Sequence, residues 1–159
     1  MKNLFIVLFL VCSAALAAQS VYVDLGLPSG TQWKNENEKG GFFTYDKAMQ
    51  YYASQLPSAR QFQELIDLCD WKWTGRGYVI TGPNNNYIYL PACGYRENGV
   101  VSGVNEGGIY LTSTISDLRY NNEDNVIVLP FGEPKYNEME AVSRYCNAAF
   151  SVRLVNIRY

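Results

Sequence analysis

The residue types best equipped for chemistry fall in one short run. "LPACGYRENG", residues 90–99, sets a thiol at Cys93 just ahead of Tyr95 and Arg96. A cysteine nucleophile acts as the thiolate and needs a neighbouring base or a lowered pKa to form it. The chain contains no histidine. That removes Cys-His pairs and Ser-His-Asp triads, and with them the commonest metal ligand. Leu90 and Ala92 surround the thiol with apolar side chains, and free cysteine packs as a small hydrophobe. Cys93 therefore reads as a packed strand end, with Tyr95 and Arg96 opening a loop beyond it.

Two other chemistries need no histidine. Glycoside hydrolysis requires two facing carboxyl groups. The candidate acids include Glu97, Glu106, Glu123, Asp124 and Glu133, but their spacing sets no pair across a cleft. Calcium needs six or more oxygens converging on one point. "YNNEDN" supplies them at Asn121, Asn122, Glu123, Asp124 and Asn125 without EF-hand spacing. A hydrated polar loop is the better reading. No catalytic residue, metal site or cofactor is expected. What remains is recognition. Tyr95, Arg96, Tyr120, Tyr136, Arg144 and Tyr145 sit in or beside predicted loops, and tyrosine and arginine are the types that anchor interfaces. These six are the candidate ligand-binding residues. The competing role for each is packing on a strand face, which tyrosine also favours.

Those side chains need a scaffold. "VYVDLGL" alternates Val21, Val23 and Leu25 as a strand does. Trp33 is expected to enter the core on the next strand. Two short helices follow. Thr44 can cap the first, where Tyr45, Ala48, Met49 and Tyr52 recur at helical spacing. Ser58 and Gln61 form an S-x-x-Q capping box for the second, with Phe62, Leu65, Ile66 and Cys69 on its buried face. "WKWT", "GYVIT", "YIYLP", "GGIYLTST", "NVIVLPF" and "FSVRLVN" are strand candidates, and "GPNNN" turns a hairpin between the second and third. Each of Leu27, Leu56, Leu90 and Leu129 precedes a proline, which forces it to extended geometry. These four are expected to be buried leucines at element edges. Parallel βαβ alternation is absent, so the fold class is α+β with a mostly antiparallel sheet.

Compartment and partners follow from the start of the chain and its charge. Lys2, the apolar run at residues 4–11 and Ala15-Leu16-Ala17 form a secretory signal peptide over residues 1–17, leaving one domain over residues 18–159. The apolar run is too short for a membrane helix. Cys12 raises a lipid anchor, but Val11 stands where a small residue is wanted. The protein is thus expected to be exported, whether extracellular, on the cell surface or periplasmic. Three cysteines remain, Cys69, Cys93 and Cys146, with no CxxC motif. Their spacing does not choose a disulfide. A formal charge of −2 without a basic run argues against nucleic-acid binding and membrane-surface attachment.

Several ordered segments carry a family resemblance. "YVDLGLPSGTQW", "GGFFTYDKAMQYYASQLPSARQFQELIDLCDWKWTG", "GYVITGPNNNYIYLPACGYRENG" and "FSVRLVN" resemble the Fibrobacter succinogenes major paralogous domain family, a relative of the DUF1566 group. The resemblance implies an exported bacterial protein with a C-type-lectin-like fold. That fold places two short helices on small irregular antiparallel sheets, with its first and last strands adjacent. It also implies a binding module without shared enzymatic activity. Some residues depart from the pattern. Leu111-Thr112-Ser113 stands where the family reads Trp-Ser-Ser, and Cys93 stands where alanine is expected. Lectins of this fold hold calcium through Glu-Pro-Asn, whereas this chain reads Glu133-Pro134-Lys135 and has no Trp-Asn-Asp. The expected function is a secreted or surface-displayed binding module for a glycan, peptide or surface protein. The second reading is a structural subunit or decoration of a surface assembly such as a fimbria. A third, enzymatic reading on the related formylglycine-generating scaffold lacks a matching cysteine pair.

Overall fold

The computed structural model describes residues 21–120, 123–132, 138–144 and 147–157. The expected signal segment at residues 1–17 lies outside them, as does Cys146. The described chain is mixed α+β, with two short helices and several small antiparallel sheets. The order is β1 (Tyr22–Asp24), β2 (Thr31–Lys34), α1 (Tyr45–Tyr52), α2 (Ala59–Leu68), β3 (Asp70–Trp73), β4 (Gly77–Thr81) and β5 (Tyr87–Pro91). Then come β6 (Tyr95–Glu97), β7 (Val100–Ser102), β8 (Gly107–Tyr120), β9 (Glu123–Gly132), β10 (Glu140–Ser143), β11 (Ala148–Ala149) and β12 (Val155–Ile157). The sheets run β1-β2-β12, β3-β4-β5, β11-β6-β7 and β10-β9-β8, antiparallel throughout.

Local chemistry places both helices as the sequence suggests. Thr44 is the N-cap of α1, its hydroxyl accepting from the Lys47 amide. Tyr45 and Ala48 are buried, and Met49 and Tyr52 pack beside them. Ser58 and Gln61 close a complete capping box on α2, a device whose loss costs about 1 kcal/mol. Phe62 and Leu65 face inward and touch Trp33, whose ring centroid is 4.8 Å from that of Phe62. Cys69 departs from the expected buried stripe. It is the C-cap, already extended at φ −113°, and only half-buried. Its side chain still packs against the main core cluster.

The β4–β5 hairpin turns through "GPNNN" with Asn85 at φ 66°. Its registers sort the side chains. Trp71, Trp73, Tyr78, Ile80, Ile88 and Leu90 face the core. Lys72, Val79 and Tyr89 form one outward row, and Asp70, Thr81 and Tyr87 form another. All four proline-preceding leucines, Leu27, Leu56, Leu90 and Leu129, are buried.

Three expectations are corrected. Tyr95 and Arg96 open strand β6 rather than a loop. Gly94 turns the chain at φ 71°, and β7 and β11 then pair with β6 on either side. The described residues of "YNNEDN" belong to strands β8 and β9. Tyr120 pairs with Glu123, Asn125 is buried in β9, and only residues 121–122 of the expected loop lie outside the described residues. "FSVRLVN" is not a continuous strand. Phe150 and Ser151 make single bridges to Phe43 and Tyr110, and ladder pairing resumes only at Val155. Between them Val152, Arg153 and Leu154 are all buried, so this stretch is covered on both faces.

Candidate functional site

Of the six candidate recognition residues, the structure describes the side chains of three, Tyr95, Arg96 and Arg144. Tyr95 is half-buried and packs against the cluster built around Phe43, Tyr45 and Phe150. Arg96 is half-buried and donates through Nη2 to the Phe42 carbonyl at 3.4 Å. Arg144 donates from Nε and Nη2 to Asp46 Oδ1 at 2.8 and 2.6 Å, and its guanidinium carbon lies 5.3 Å from the Tyr45 ring centre. That contact ties β10 to the first turn of α1, a structural role for a residue expected to bind ligand. Tyr120 closes β8, but its side chain lies outside the description, and Tyr136 and Tyr145 lie wholly outside it. Of the candidate acids, Glu97 and Glu106 are exposed and Asp124 approaches Arg144 at 4.0 Å. Glu123 has only its backbone described, and Glu133 lies outside. Among the described residues, no group of three acids or thiols assembles that would hold a metal.

A buried polar centre forms elsewhere, around a residue that sequence reasoning passed over. Arg153 is fully buried. Its Nε donates to Asn37 Oδ1 at 2.8 Å, Nη1 to the Lys34 carbonyl at 2.8 Å and Nη2 to the Tyr89 carbonyl at 2.7 Å. Asn37 Oδ1 also accepts from the Tyr110 hydroxyl at 3.0 Å. The planar fork of arginine suits this arrangement, with one donor for each acceptor. Burial lowers the Arg153 pKa from its usual value, opposed by the neighbouring Tyr110 hydroxyl. The Asn37 amide lies 3.9 Å from Cys93 Sγ. Burial pushes the Cys93 thiol up, with Arg153 pulling the other way. Cys93 is therefore a half-buried thiol held in its neutral form, not an activated nucleophile. One sequence signal for this centre existed: an arginine inside the apolar run Val152-Arg153-Leu154-Val155.

Burial also predicts behaviour at high pH. The Tyr110 hydroxyl is pushed up to about 12 and the Cys69 thiol to about 11, both by burial. The unfolded chain ionises these groups earlier, from their ordinary values of 10.0 and 9.0. The stability they hold is complete below those values and is lost as the pH rises through the folded ones. The urea midpoint should therefore fall steadily between about pH 9 and pH 12. An unchanged midpoint across that range would contradict the sealed position of Tyr110.

Arg153 also sets the walls of a surface groove. By holding the Tyr89 carbonyl on edge strand β5 and the Lys34 carbonyl at the end of the central strand β2, it ties the two sheets together. The groove between them has a volume of about 360 Å³ and is lined by Val23, Asn35, Asn85, Asn86, Tyr87 and Tyr89. Tyr87 is 65% exposed and Tyr89 36%. The Asn84 and Asn86 amides both donate to the Asp24 carbonyl, at 2.9 and 2.8 Å, and so fix the turn. A larger concavity of about 610 Å³ lies along α2 beside Pro28 and Ser29. Several of its polar groups satisfy one another: Ser29 donates to Glu64 through its amide and its hydroxyl, and Gln63 donates to Asp67. The smaller groove is the candidate site because its rings and amides still face solvent. The sequence marked "YIYLP" as a strand beside the "GPNNN" turn, but nothing in it brought Asn35 alongside. Comparison with known proteins yields no matching family model, no matching curated protein and no matching solved structure.

Proposed function

We propose that the chain is an exported, non-enzymatic recognition module of the Fibrobacter succinogenes major paralogous domain type, with a C-type-lectin-like fold. Two short helices beside small antiparallel sheets support the fold. So does the pairing of the first and last described strands, β1 and β12, with the same β2. No helix among the described residues is long and apolar enough to cross a membrane. The observation that carries the reading is the Tyr87–Tyr89 groove. It offers two exposed rings, each with a polar tip, on a rigid hairpin. Rings of this kind give large contact area at little cost in side-chain entropy. The proposed site lies on the β4–β5 hairpin.

The test is binding of the purified chain to arrays of cell-surface glycans and proteins, with and without a calcium chelator. The double change Tyr87→Ala/Tyr89→Ala should weaken binding by about tenfold or more, as expected when an interface loses two aromatic anchors. The chelator should have no effect. Binding that ignores both tyrosines would refute this site. A specific observation also favours the structural-subunit reading. Strand β7 is the edge of its sheet and is exposed throughout, Val100 and Val101 included, and Val104 is exposed beside it. Such an edge is a template for pairing with another chain. A stable oligomer lost on Val101→Lys would favour assembly.

A further inference from the structure

We infer that the Tyr87–Tyr89 groove takes a neutral carbohydrate chain, bound without a metal ion; this rests on the recognition reading above. The lining residues, Val23, Asn35, Asn85, Asn86, Tyr87 and Tyr89, carry no charge. A charged ligand would lose hydration there with no opposite charge to replace it. What the groove offers is amides and phenols. An amide presents both donors and an acceptor, and a phenol does both with one oxygen. A hydroxyl on a sugar likewise donates and accepts, so neighbouring hydroxyls match these groups without any ion. The side chains of Asn35 and Asn85 and the hydroxyls of Tyr87 and Tyr89 have no hydrogen-bond partner among the described residues. They are exposed and available.

The rings supply the remainder of the fit. Tyr87 and Tyr89 point to the same face of β5, two residues apart, which is about 6.6–6.8 Å along a strand. That spacing lets adjacent sugar units lay their C–H faces on successive rings. The main competitor is an extended peptide added to the outer edge of β5. Edge addition needs free backbone acceptors along the strand. Here the Tyr89 carbonyl is already taken by Arg153 Nη2 at 2.7 Å, so that edge is capped at its centre. The site is also preorganised. Arg153 holds Tyr89 from below, Asp24 holds the Asn86 amide, and Asn85 stands at φ 66°. Little ordering entropy is left to oppose binding.

The experiment is a titration of the purified chain, in chelator, with neutral cello-, manno-, xylo- and chito-hexasaccharides, followed by backbone amide NMR. At least one should saturate, with the largest shifts at Asn35 and across residues 85–89. Tyr87→Ala should weaken that affinity about tenfold, and Tyr87→Phe should retain most of it. Saturation that shifts other residues instead, or an absence of saturation with all four, overturns the inference. Mild periodate treatment of a bound surface separates the two readings, because it opens vicinal diols and spares peptide bonds. Tyrosine-dependent binding abolished by periodate supports the carbohydrate. Tyrosine-dependent binding that survives periodate and is not competed by the chito-hexasaccharide, whose internal units have no vicinal diol, overturns the carbohydrate and leaves recognition of a protein standing. Binding indifferent to both tyrosines overturns both.

Discussion

Replacing Arg153 with methionine should lower stability by about 3 kcal/mol and reduce the melting temperature by roughly 6–12 °C. Two effects oppose each other. Methionine removes a buried cation, and its desolvation penalty goes with it. Methionine also donates nothing. It strands the Tyr89 and Lys34 carbonyls and leaves Asn37 Oδ1 with Tyr110 alone. Each acceptor left without a donor costs about 1–3 kcal/mol. The contacts join segments distant in the chain, so the loss spreads to the seam between two sheets. Stranded acceptors therefore outweigh the relief of the charge. Arg153→Lys should fall between, because a point charge on a flexible stem cannot serve three acceptors in a fixed fork. Thermal unfolding of both variants measures the stability. Amide shifts at Asn35 and Tyr89 report whether the groove walls separate. A melting point within about 2 °C of the parent, on the same size scaling, would show that the seam does not depend on this residue.

Gly94→Ala should be comparably damaging, at about 3 kcal/mol, for a different reason. Gly94 stands at φ 71°, and an added Cβ would meet the Ser102 carbonyl oxygen at 1.9 Å and Val104 N at 3.0 Å. Those are backbone atoms, so no rotamer change relieves the clash. Strand β7 would have to shift from β6, and the Gly94–Gly107 hydrogen bond of 2.8 Å would shift with it. Gly99 provides the comparison. It also has positive φ, at 82°, but an added Cβ there meets nothing within 4 Å. Gly99→Ala should show only the conformational penalty, about 1–2 kcal/mol. Urea unfolding of the two variants separates crowding from backbone preference. Hydrogen exchange should speed up in β6 and β7 for Gly94→Ala. Equal effects at the two positions would show that the close approach to Ser102 contributes nothing.

Local signals were legible wherever a short stretch decides its own conformation. The Ser58–Gln61 box, the Thr44 cap and the proline-preceding leucines depend on neighbours a few residues away, and each is found as expected. The loop reading at Tyr95 and Arg96 failed because β6 is a short strand held between one near partner, β7, and one distant partner, β11. Its register pairs Arg96 with Val101 on one side and with Ala149 on the other. A three-residue strand carries too little periodicity to announce itself. Arg144 failed as a free anchor because Asp46 lies ninety-eight positions away in the chain.

The amino-acid sequence by itself determined the α+β class, the helix caps, the burial of the proline-preceding leucines and the absence of histidine chemistry. These follow from side-chain type and short-range spacing, which folding does not alter. The tertiary structure decided where polar groups meet. It sealed Arg153 beneath two sheets, engaged Arg96 and Arg144 in internal contacts and left Tyr87 and Tyr89 beside Asn35. Those outcomes depend on which carbonyls and carboxylates arrive next to a side chain from remote parts of the chain. Composition and periodicity hold no record of such meetings, because a hydrogen bond is specified by position and direction in space.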